Sequence, residues 1–234
     1  MYNNWPKKGF TLIELLVVIA IVALLISIIT PALRRAKELS TWLVCGSNAR
    51  QLTAAWILYA DENDNNLVGA SVDYAYAWVG ATPEDGTLWP YIESWDCYKC
   101  PAGIEGFDIT YSISDSMNAE LTGDSSLLQF KNKKRSDIKM PSERMVFIDE
   151  GRSSTACGYT QNNDQLNWWD PVPCRHGEGT ALSMADGHTE LWRWRDERSA
   201  TWDYEQWSIS SSVRNQPDNV DMIKMQRSMW WEFK

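Results

Sequence analysis

The sequence has few of the residues and motifs on which enzyme chemistry commonly depends. It contains only two histidines, His176 and His188, among 234 residues. No Gly-rich phosphate loop, no His-Glu-x-x-His and no Gly-x-Ser-x-Gly is present, so the common signatures of phosphate binding, zinc proteolysis and serine hydrolysis are missing. Basic residues are also scarce, with 22 Lys and Arg against 31 Asp and Glu. A chain this acidic is a poor replacement for the counterions of nucleic acid, and we expect no nucleic-acid partner.

What the chain does have is a long uncharged run near its N-terminus. The 19 residues 15–33, between Glu14 and Arg34, carry no formal charge. As a helix they span roughly 29 Å, close to the hydrocarbon thickness of a bilayer. The residues that follow fit an A-x-A-like signal-peptidase site poorly. We therefore predict a membrane-spanning helix over 10–33. Lys7 and Lys8 before it and three basic residues soon after it leave the orientation open by charge alone.

The helix is predicted to continue over 34–62 as an amphipathic segment. One face is apolar or small at helical spacing. Beyond it, Asp61, Asn63 and Asn65 have the spacing of a calcium loop, but position six is Asn66 instead of Gly and position twelve is Val72 instead of Glu. A helix stop with Asn in left-handed backbone is the simpler interpretation, and calcium remains a minor alternative. The predicted apolar face consists of Leu39, Trp42, Leu43, Gly46, Ala49, Leu52, Trp56 and Tyr59.

An acid lies close to the start of the membrane segment, where a functional partner is the default expectation. The surrounding residues, Lys7-Lys8-Gly9-Phe10-Thr11-Leu12-Ile13-Glu14, resemble the leader and cleavage site of type IV prepilins and of the pseudopilins of type II secretion systems. The resemblance implies removal of residues 1–9 by a prepilin peptidase, methylation of the new amino terminus at Phe10, and a cytoplasmic leader with the body outside. Loss of two lysines changes the formal net charge from −9 to −11.

The same resemblance gives roles to two residues of the helix. Glu14 becomes the fifth mature residue, and its carboxylate would pair with the Phe10 amine of its own or a neighbouring subunit. Breaking such a buried pair costs about 3–5 kcal/mol. Pro31 becomes the twenty-second mature residue, where the family commonly has a helix-kinking proline. Both residues are predicted to act in subunit assembly.

Beyond the helix, residues 63–234 are predicted to form an α+β head outside the membrane. The fold class expected is pilin-like, a long N-terminal membrane-spanning helix packed against an antiparallel β-sheet. Asp186-Gly187 is a signal for a two-residue hairpin loop, with Leu182 and Met184 on one face of the strand before it and Ala181 and Ser183 on the other. Predicted strands are Thr110–Ile113, Met145–Asp149, Thr180–Ala185 and Thr189–Trp194.

A second resemblance lies in the head. His176, nine further residues and Asp186-Gly187 are similar to the signature of a large family of prepilin-type proteins with the pattern H-x(9)-DG. We interpret His176, Asp186 and Gly187 as a structural clasp in which His176 docks on the turn. A transition-metal site formed by His176, Asp186 and His188 is the weaker alternative, and no cofactor is expected. Further segments similar to that family are Cys45–Leu52, Cys100-Pro101, Tyr111-Ser112 and Pro141-Ser142 leading to Asp149.

Five cysteines lie outside the cytoplasm under this topology, where disulfides persist. We predict Cys45–Cys100, tying the helix to a loop, and Cys157–Cys174, closing an inserted loop. Cys97 is then left over, and Cys97-x-x-Cys100 is a weak redox or zinc signal without a second pair. Connectivity does not follow from the sequence alone.

The function predicted is that of a structural pilin-like or pseudopilin subunit of a type II secretion or type IV pilus-like system, not an enzyme. It would sit in the bacterial inner membrane as a single-pass protein, with its N-terminus cytoplasmic and its head periplasmic or at the cell surface. Expected partners are the prepilin peptidase, the inner-membrane assembly platform and other pilin subunits. The alternative is a membrane-anchored surface protein whose Trp-rich head binds polysaccharide, since exposed Trp stacks on sugar rings. Packing in the core of a β-rich head is the favoured explanation of many of the 14 tryptophans.

Overall fold

The computed structural model describes residues 9–70, 76–118, 131–151, 158–159, 168–172, 174–200 and 215–230. The chain divides into two compact units, with the boundary between Ser40 and Thr41. The long helix α1, Leu12–Glu62, begins in the first unit and ends in the second. The sequence predicts a helix over 10–62.

The first unit consists of the apolar part of α1. Residues 12–40 are exposed along their whole length, and the helix continues through Pro31. Among the described residues, α1 is the helix that is long and apolar enough to cross a membrane, and no residue of its most apolar stretch is buried. An apolar surface of this extent has no protein core to cover it, as expected for a segment that faces lipid or other helices.

The second unit begins with the polar half of α1, which packs one face against the head. Its buried residues recur at helical spacing, as predicted. Leu43, expected on that face, is instead 58% exposed, and Leu39 is exposed as well. The reason is that the buried face of the helix is centred near Cys45 and Ala49, so Leu43 lies at the side of that face and is exposed. The buried residues of α1 are Trp42, Cys45, Gly46, Asn48, Ala49, Leu52, Thr53, Ala55, Trp56 and Ala60.

The end of α1 confirms the predicted helix stop. Asp64 and Asn65 have φ of 54° and 63°, and the Asn65 N–H donates to the Ala60 carbonyl at 2.8 Å. This hydrogen bond, which the left-handed backbone allows, gives a donor to a carbonyl that would otherwise have none at the helix end. Asp61 forms an ion pair with Arg135. Asn and Asp thus end the helix by their tolerance of positive φ.

The described residues of the head form a sheet of five strands, β1 Tyr111–Ser114, β2 Met145–Asp149, β3 Gly158–Tyr159, β4 Gly179–Met184 and β5 Thr189–Arg193. Their order in the sheet is β3-β1-β2-β4-β5. Three of its four strand pairings are antiparallel, whereas β1 and β3 pair in parallel. The sheet is therefore mixed instead of purely antiparallel, and the short β3 was not predicted. The α+β architecture and the other four strands are confirmed to within one residue at each end.

The β4–β5 hairpin is confirmed, but its loop is one residue longer than predicted. Ser183 pairs with Thr189, and the Met184 N–H donates to the His188 carbonyl at 2.8 Å. The loop therefore has three residues, 185–187. The Gly187 N–H closes the turn on the Met184 carbonyl at 2.9 Å, and Gly187 has φ +97°. A three-residue loop of this kind ends in left-handed backbone, which glycine adopts without a Cβ clash.

Both faces of the sheet are covered. Ala181 of β4 belongs to the core cluster that contains the buried face of α1. Leu182 and Met184 belong to a second cluster, so the predicted alternation of β4 is confirmed. Helix α4, Val220–Met229, supplies methionines to that second cluster. The remaining short helices are α2 Trp89–Ile92, α3 Glu197–Ala200 and the 3₁₀ turns Pro83–Asp85, Trp95–Tyr98, Arg135–Asp137 and Pro141–Glu143.

Candidate functional site

The predicted disulfide Cys45–Cys100 is confirmed, and it fixes α1 to the segment after the 3₁₀ turn Trp95–Tyr98. The two Cα atoms are 5.3 Å apart, within the ordinary range for a bridge. One turn further along α1, the Asn48 amide donates to the carbonyls of Asp96 at 2.8 Å and Lys99 at 3.2 Å. These buried bonds position the loop so that its cysteine meets the helix.

His176 lies directly beside this disulfide. Its Nε2 is 2.7 Å from Oδ2 of Asp149 and 3.4 Å from Sγ of Cys100. The imidazole also stacks on Trp42 of α1, with centroids 6.0 Å apart and an interplanar angle of 8°. Ligand atoms from Cys45, Cys100, Asp149 and His176 all lie within 4.8 Å of one another, and all four residues are buried. We call these four residues the Cys-His-Asp cluster.

Three different elements bring the cluster together. Asp149 is the last residue of β2, Cys45 lies on α1, and His176 precedes β4. Pairing of β1 with β2 and of β2 with β4 places the end of β2 opposite the start of β4. The Thr180 hydroxyl donates to the Asp149 carbonyl at 2.8 Å, which fixes that end. Sheet register therefore decides which acid meets His176.

The Asp149 carboxylate is satisfied but strongly desolvated. Burial raises its pKa, while the hydrogen bond to His176 and the Gly151 N–H at 3.1 Å oppose that shift. Burial also raises the pKa of Tyr111, and the nearby Asp149 charge adds to the effect. The Tyr111 hydroxyl donates to the Cys45 carbonyl at 3.0 Å. The site is therefore a buried network of polar groups joined by hydrogen bonds.

The structure corrects the interpretation of His176, Asp186 and His188. The hypothesis that His176 docks on the turn is wrong, because its ring bonds Asp149. Asp186 does accept the backbone N–H of His188, at 3.1 Å, as expected of a turn aspartate. Among the described residues, the group with ligand atoms close enough for a metal contains His176 but neither Asp186 nor His188. The proposed set of two histidines and one carboxylate is therefore not brought together.

His188 has its own carboxylate partners on the hairpin. Nδ1 is 2.6 Å from Asp186 and Nε2 is 3.2 Å from Glu190. Burial lowers the pKa of His188, but the hydrogen bonds to the two carboxylates outweigh it, so the pKa is raised. This exposed arrangement stabilises the hairpin and lies apart from the buried cluster.

The sequence does not identify two of the residues that surround His176, Asp149 of the cluster and Trp42 beside it. Asp149 stood at the end of a predicted strand and within a segment similar to the H-x(9)-DG proteins, and that was its only signal. Trp42 was predicted as part of the apolar helix face, but its ring contact with His176 was not. Nothing in the local spacing links either residue to His176, because the contacts are made across the sheet and the helix.

The remaining cysteines do not form a second described bridge. Cys97 is buried, carries no disulfide, and its Sγ lies 3.4 Å from Oε1 of Gln51. Burial raises the pKa of this thiol. Sγ of Cys174 lies 2.8 Å from the Ser199 carbonyl. Cys157 lies outside the described residues, so the predicted Cys157–Cys174 bridge stays a prediction.

The predicted processing site lies in the first unit, at the start of α1. Gly9 is exposed, and an added Cβ there would meet no atom within 4 Å. Phe10 is 71% exposed. Glu14 and Thr11 form a capping box, with the Thr11 N–H donating to Glu14 Oε2 at 2.9 Å and the Glu14 N–H donating to Thr11 Oγ1 at 3.3 Å. Glu14 therefore caps the N-terminus of its own helix.

Most of the described tryptophans are core residues, which favours the core-packing interpretation. Trp95 and Trp169 are the exceptions, at 41% and 49% exposed. A small cavity lies beside Trp192, but Nζ of Lys224 covers that ring at 3.6 Å from its centroid. Trp202, Trp207 and Trp231 lie outside the described residues. The buried tryptophans are Trp42, Trp56, Trp78, Trp168, Trp192, Trp194 and Trp230.

Comparison with known proteins gives one match. Residues 6–30 match the prokaryotic N-terminal methylation motif, the segment in which Gly9, Phe10 and Glu14 lie. No curated protein and no solved structure matches the chain significantly. The similarity to H-x(9)-DG proteins stays a prediction. The matched motif, the apolar helix that continues from it and the α+β head together support a protein of the type IV pilin or pseudopilin kind.

Proposed function

We propose that this chain is a structural subunit of a type II secretion or type IV pilus-like assembly, without chemistry of its own. The observation that carries the proposal is the methylation motif over residues 6–30 running directly into a helix that is exposed over residues 12–40. A helix with this much apolar surface needs lipid or neighbouring helices to cover it. Filament assembly supplies such neighbours, and the membrane supplies the lipid.

Processing comes first in this proposal. A prepilin peptidase cuts between Gly9 and Phe10, and the new amine at Phe10 is methylated. Before cleavage the chain is a single-pass protein of the bacterial inner membrane, with its N-terminus cytoplasmic and its head periplasmic or at the cell surface. The inner-membrane assembly platform and other pilin or pseudopilin subunits are the partners that receive the processed chain.

Glu14 acts in the assembly step. Its carboxylate is exposed and held by Thr11 in the capping box. Cleavage creates a free amine four residues earlier, at Phe10, so a cation becomes available to a carboxylate in an apolar environment. Loss of one partner from a buried ion pair costs about 3–5 kcal/mol. Removing the Glu14 charge should then lower incorporation into filaments by about a hundredfold or more, because 1.4 kcal/mol corresponds to a factor of about ten.

The first experiment examines processing. Mass spectrometry of N-terminal peptides from the native host should show a methylated Phe10 as the first residue. Gly9→Val should block cleavage, and the open space around Gly9 means that this change tests recognition instead of folding. A mature chain that retains residues 1–9 would refute the proposal.

The second experiment separates assembly from processing. Glu14→Gln should be cleaved normally and remain in the membrane fraction, with little material in the sheared filament fraction. Glu38→Gln is the matched control, since it removes one exposed carboxylate from the same helix outside the apolar segment. Equal incorporation of the two variants would contradict the role proposed for Glu14.

A further inference from the structure

We propose that the dithiol form of this chain binds one Zn²⁺ ion through Cys45, Cys100, Asp149 and His176, and that oxidation of the two thiols to the disulfide releases the ion. The head would thus have a metal-bound reduced state and a bridged oxidised state built on the same two sulfurs. The inference concerns the second unit, to which Cys45 of α1 and the head both belong, and it does not rest on the proposed processing or assembly.

The donor set and its spacing fit zinc. Two sulfurs, one imidazole nitrogen and one carboxylate oxygen are ligands that Zn²⁺ takes in fourfold coordination. Zn–S bonds of about 2.3 Å and Zn–N bonds of about 2.0 Å place tetrahedral ligand atoms roughly 3.5 Å apart. The Cys100 Sγ to His176 Nε2 distance is already 3.4 Å. All four ligand atoms lie within 4.8 Å of one another, so sub-ångström to ångström shifts complete the geometry.

His176 presents the correct atom for this role. Its Nε2 faces both Asp149 Oδ2 and Cys100 Sγ, which places it between a carboxylate and a sulfur. In the oxidised chain this nitrogen shares a proton with Asp149. In the reduced chain, Zn²⁺ takes the position of that proton and adds the two sulfurs. The stacked Trp42 ring keeps the imidazole in one orientation in both states.

The surroundings of the ligands resemble a supporting shell of the kind that metal sites require. The Ala102 N–H points to Cys100 Sγ at 3.3 Å, which stabilises a thiolate. The Gly151 N–H donates to the second oxygen of Asp149 at 3.1 Å, leaving Oδ2 for the ligand position. The Cys100 N–H donates to Thr110 Oγ1 at 2.7 Å and fixes that loop. Each of these bonds holds one ligand residue in place and leaves the ligand atom's lone pair free to bind the zinc ion.

Charge balance favours the metal in the reduced state. Two thiolates and one carboxylate in a buried site are not tolerated without compensation. Zn²⁺ leaves a single negative charge, and Arg175 lies close enough for its charge to act on Asp149. The Arg175 side chain also contacts the space beside Gly151, where a Cβ would meet its atoms at 2.3 Å. The guanidinium therefore offsets part of the residual charge.

The change between the two states is a two-electron step. A disulfide oxidant accepts two electrons from the Cys45 and Cys100 thiolates, and its own S–S bond breaks. Its two sulfurs take up two protons to become thiols, the Cys45–Cys100 bond forms, and Zn²⁺ leaves because two of its four ligands are gone. A newly made chain carries both cysteines as thiols, so the zinc state precedes the bridged state, which forms once the chain meets an oxidising environment.

The test uses the full chain in detergent, freed of metal and reduced with a phosphine under nitrogen. Isothermal titration with Zn²⁺ should give one site per chain, and titration with Co²⁺ should give the sulfur-to-cobalt charge-transfer absorption that only a thiolate ligand produces. The same chain left oxidised should bind at least a hundredfold more weakly and show no such absorption. This comparison needs no substitution, so it is free of folding defects.

Variants then assign the ligands. Cys97→Ser should bind as the parent does, since Cys97 is a buried neighbouring cysteine outside the cluster. Asp149→Asn and His176→Gln should each weaken binding by at least about tenfold, because each removes a ligand, and even the loss of a residue that only supports a ligand costs about tenfold to a hundredfold. The proposal is overturned if the reduced chain binds no more Zn²⁺ than Cys45→Ser/Cys100→Ser does, if Cys97→Ser abolishes the cobalt absorption, or if the oxidised chain binds as tightly as the reduced one.

Discussion

Reduction of the Cys45–Cys100 bridge should lower the free energy of unfolding of the head by about 4 kcal/mol. The bridge joins residues separated by 55 positions. In the chain-entropy treatment a closed loop of that length removes about 14 cal/mol/K from the unfolded state, or about 4 kcal/mol at 25 °C. Small domains are stable by only 5–15 kcal/mol, so this loss is a large part of the total. The midpoint of thermal unfolding should fall by roughly 8–16 °C.

The assay is urea unfolding of the full chain in detergent, followed by tryptophan fluorescence. Trp56 and Trp78 are fully buried in the core cluster that contains the bridge, so unfolding of that core exposes them. EDTA is present throughout, which prevents a bound metal from replacing the bridge in the reduced chain. The oxidised and reduced forms have the same sequence, so no cavity or side-chain change enters the comparison.

A double variant, Cys45→Ala/Cys100→Ala, is the control. Any response of that variant to the reductant reports on the other cysteines and is subtracted. A remaining difference below about 1 kcal/mol between the oxidised and reduced parent would refute the reasoning, because it would mean that the unfolded chain gains little freedom when the bridge opens.

Three further predictions concern the stability of the head. Asn219→Ala should lower the free energy of unfolding by about 1–2 kcal/mol, because the Asn219 side chain accepts hydrogen bonds from the first N–H groups of α4. Urea unfolding measures this loss, and the amide hydrogens of α4 should exchange faster in the variant. Unchanged amide exchange in α4 would contradict the capping role. Gly187→Ala should lower the free energy of unfolding by about 1–2 kcal/mol, since alanine is strained at φ +97°. Gly46→Ala, inside α1, is the control, and it should lower the free energy of unfolding by less in the same urea assay. Asp149→Asn should change the pH dependence of stability. Burial raises the Asp149 pKa above 3.8, so the folded chain binds this proton more tightly than the unfolded chain and loses stability as pH rises above that value. The variant should therefore lose less stability with rising pH, and an identical slope for variant and parent would count against the raised pKa.

The sequence by itself determined the features that depend on neighbours along the chain. An uncharged run long enough to span a bilayer and a specific motif before it are local properties, and the motif match agrees with them. Helical spacing predicted the buried face of α1, because side chains three and four residues apart lie on one side of a helix. The four longer strands and the Asp186-Gly187 hairpin followed from alternation and turn chemistry. The loop length was wrong by one residue, since the same dipeptide ends either a two- or a three-residue loop.

Only the tertiary structure decided how the head is covered and which residues meet His176. Asp149 is 27 residues away in sequence, and it reaches His176 because β2 pairs with β4 in one register. A shift of one residue would turn its side chain to the opposite face of the sheet. Trp42 and the two cysteines arrive from α1 and a separate loop, so no spacing rule relates them to His176. Buried polar groups take the partner that packing supplies, and packing is a property of the folded chain as a whole.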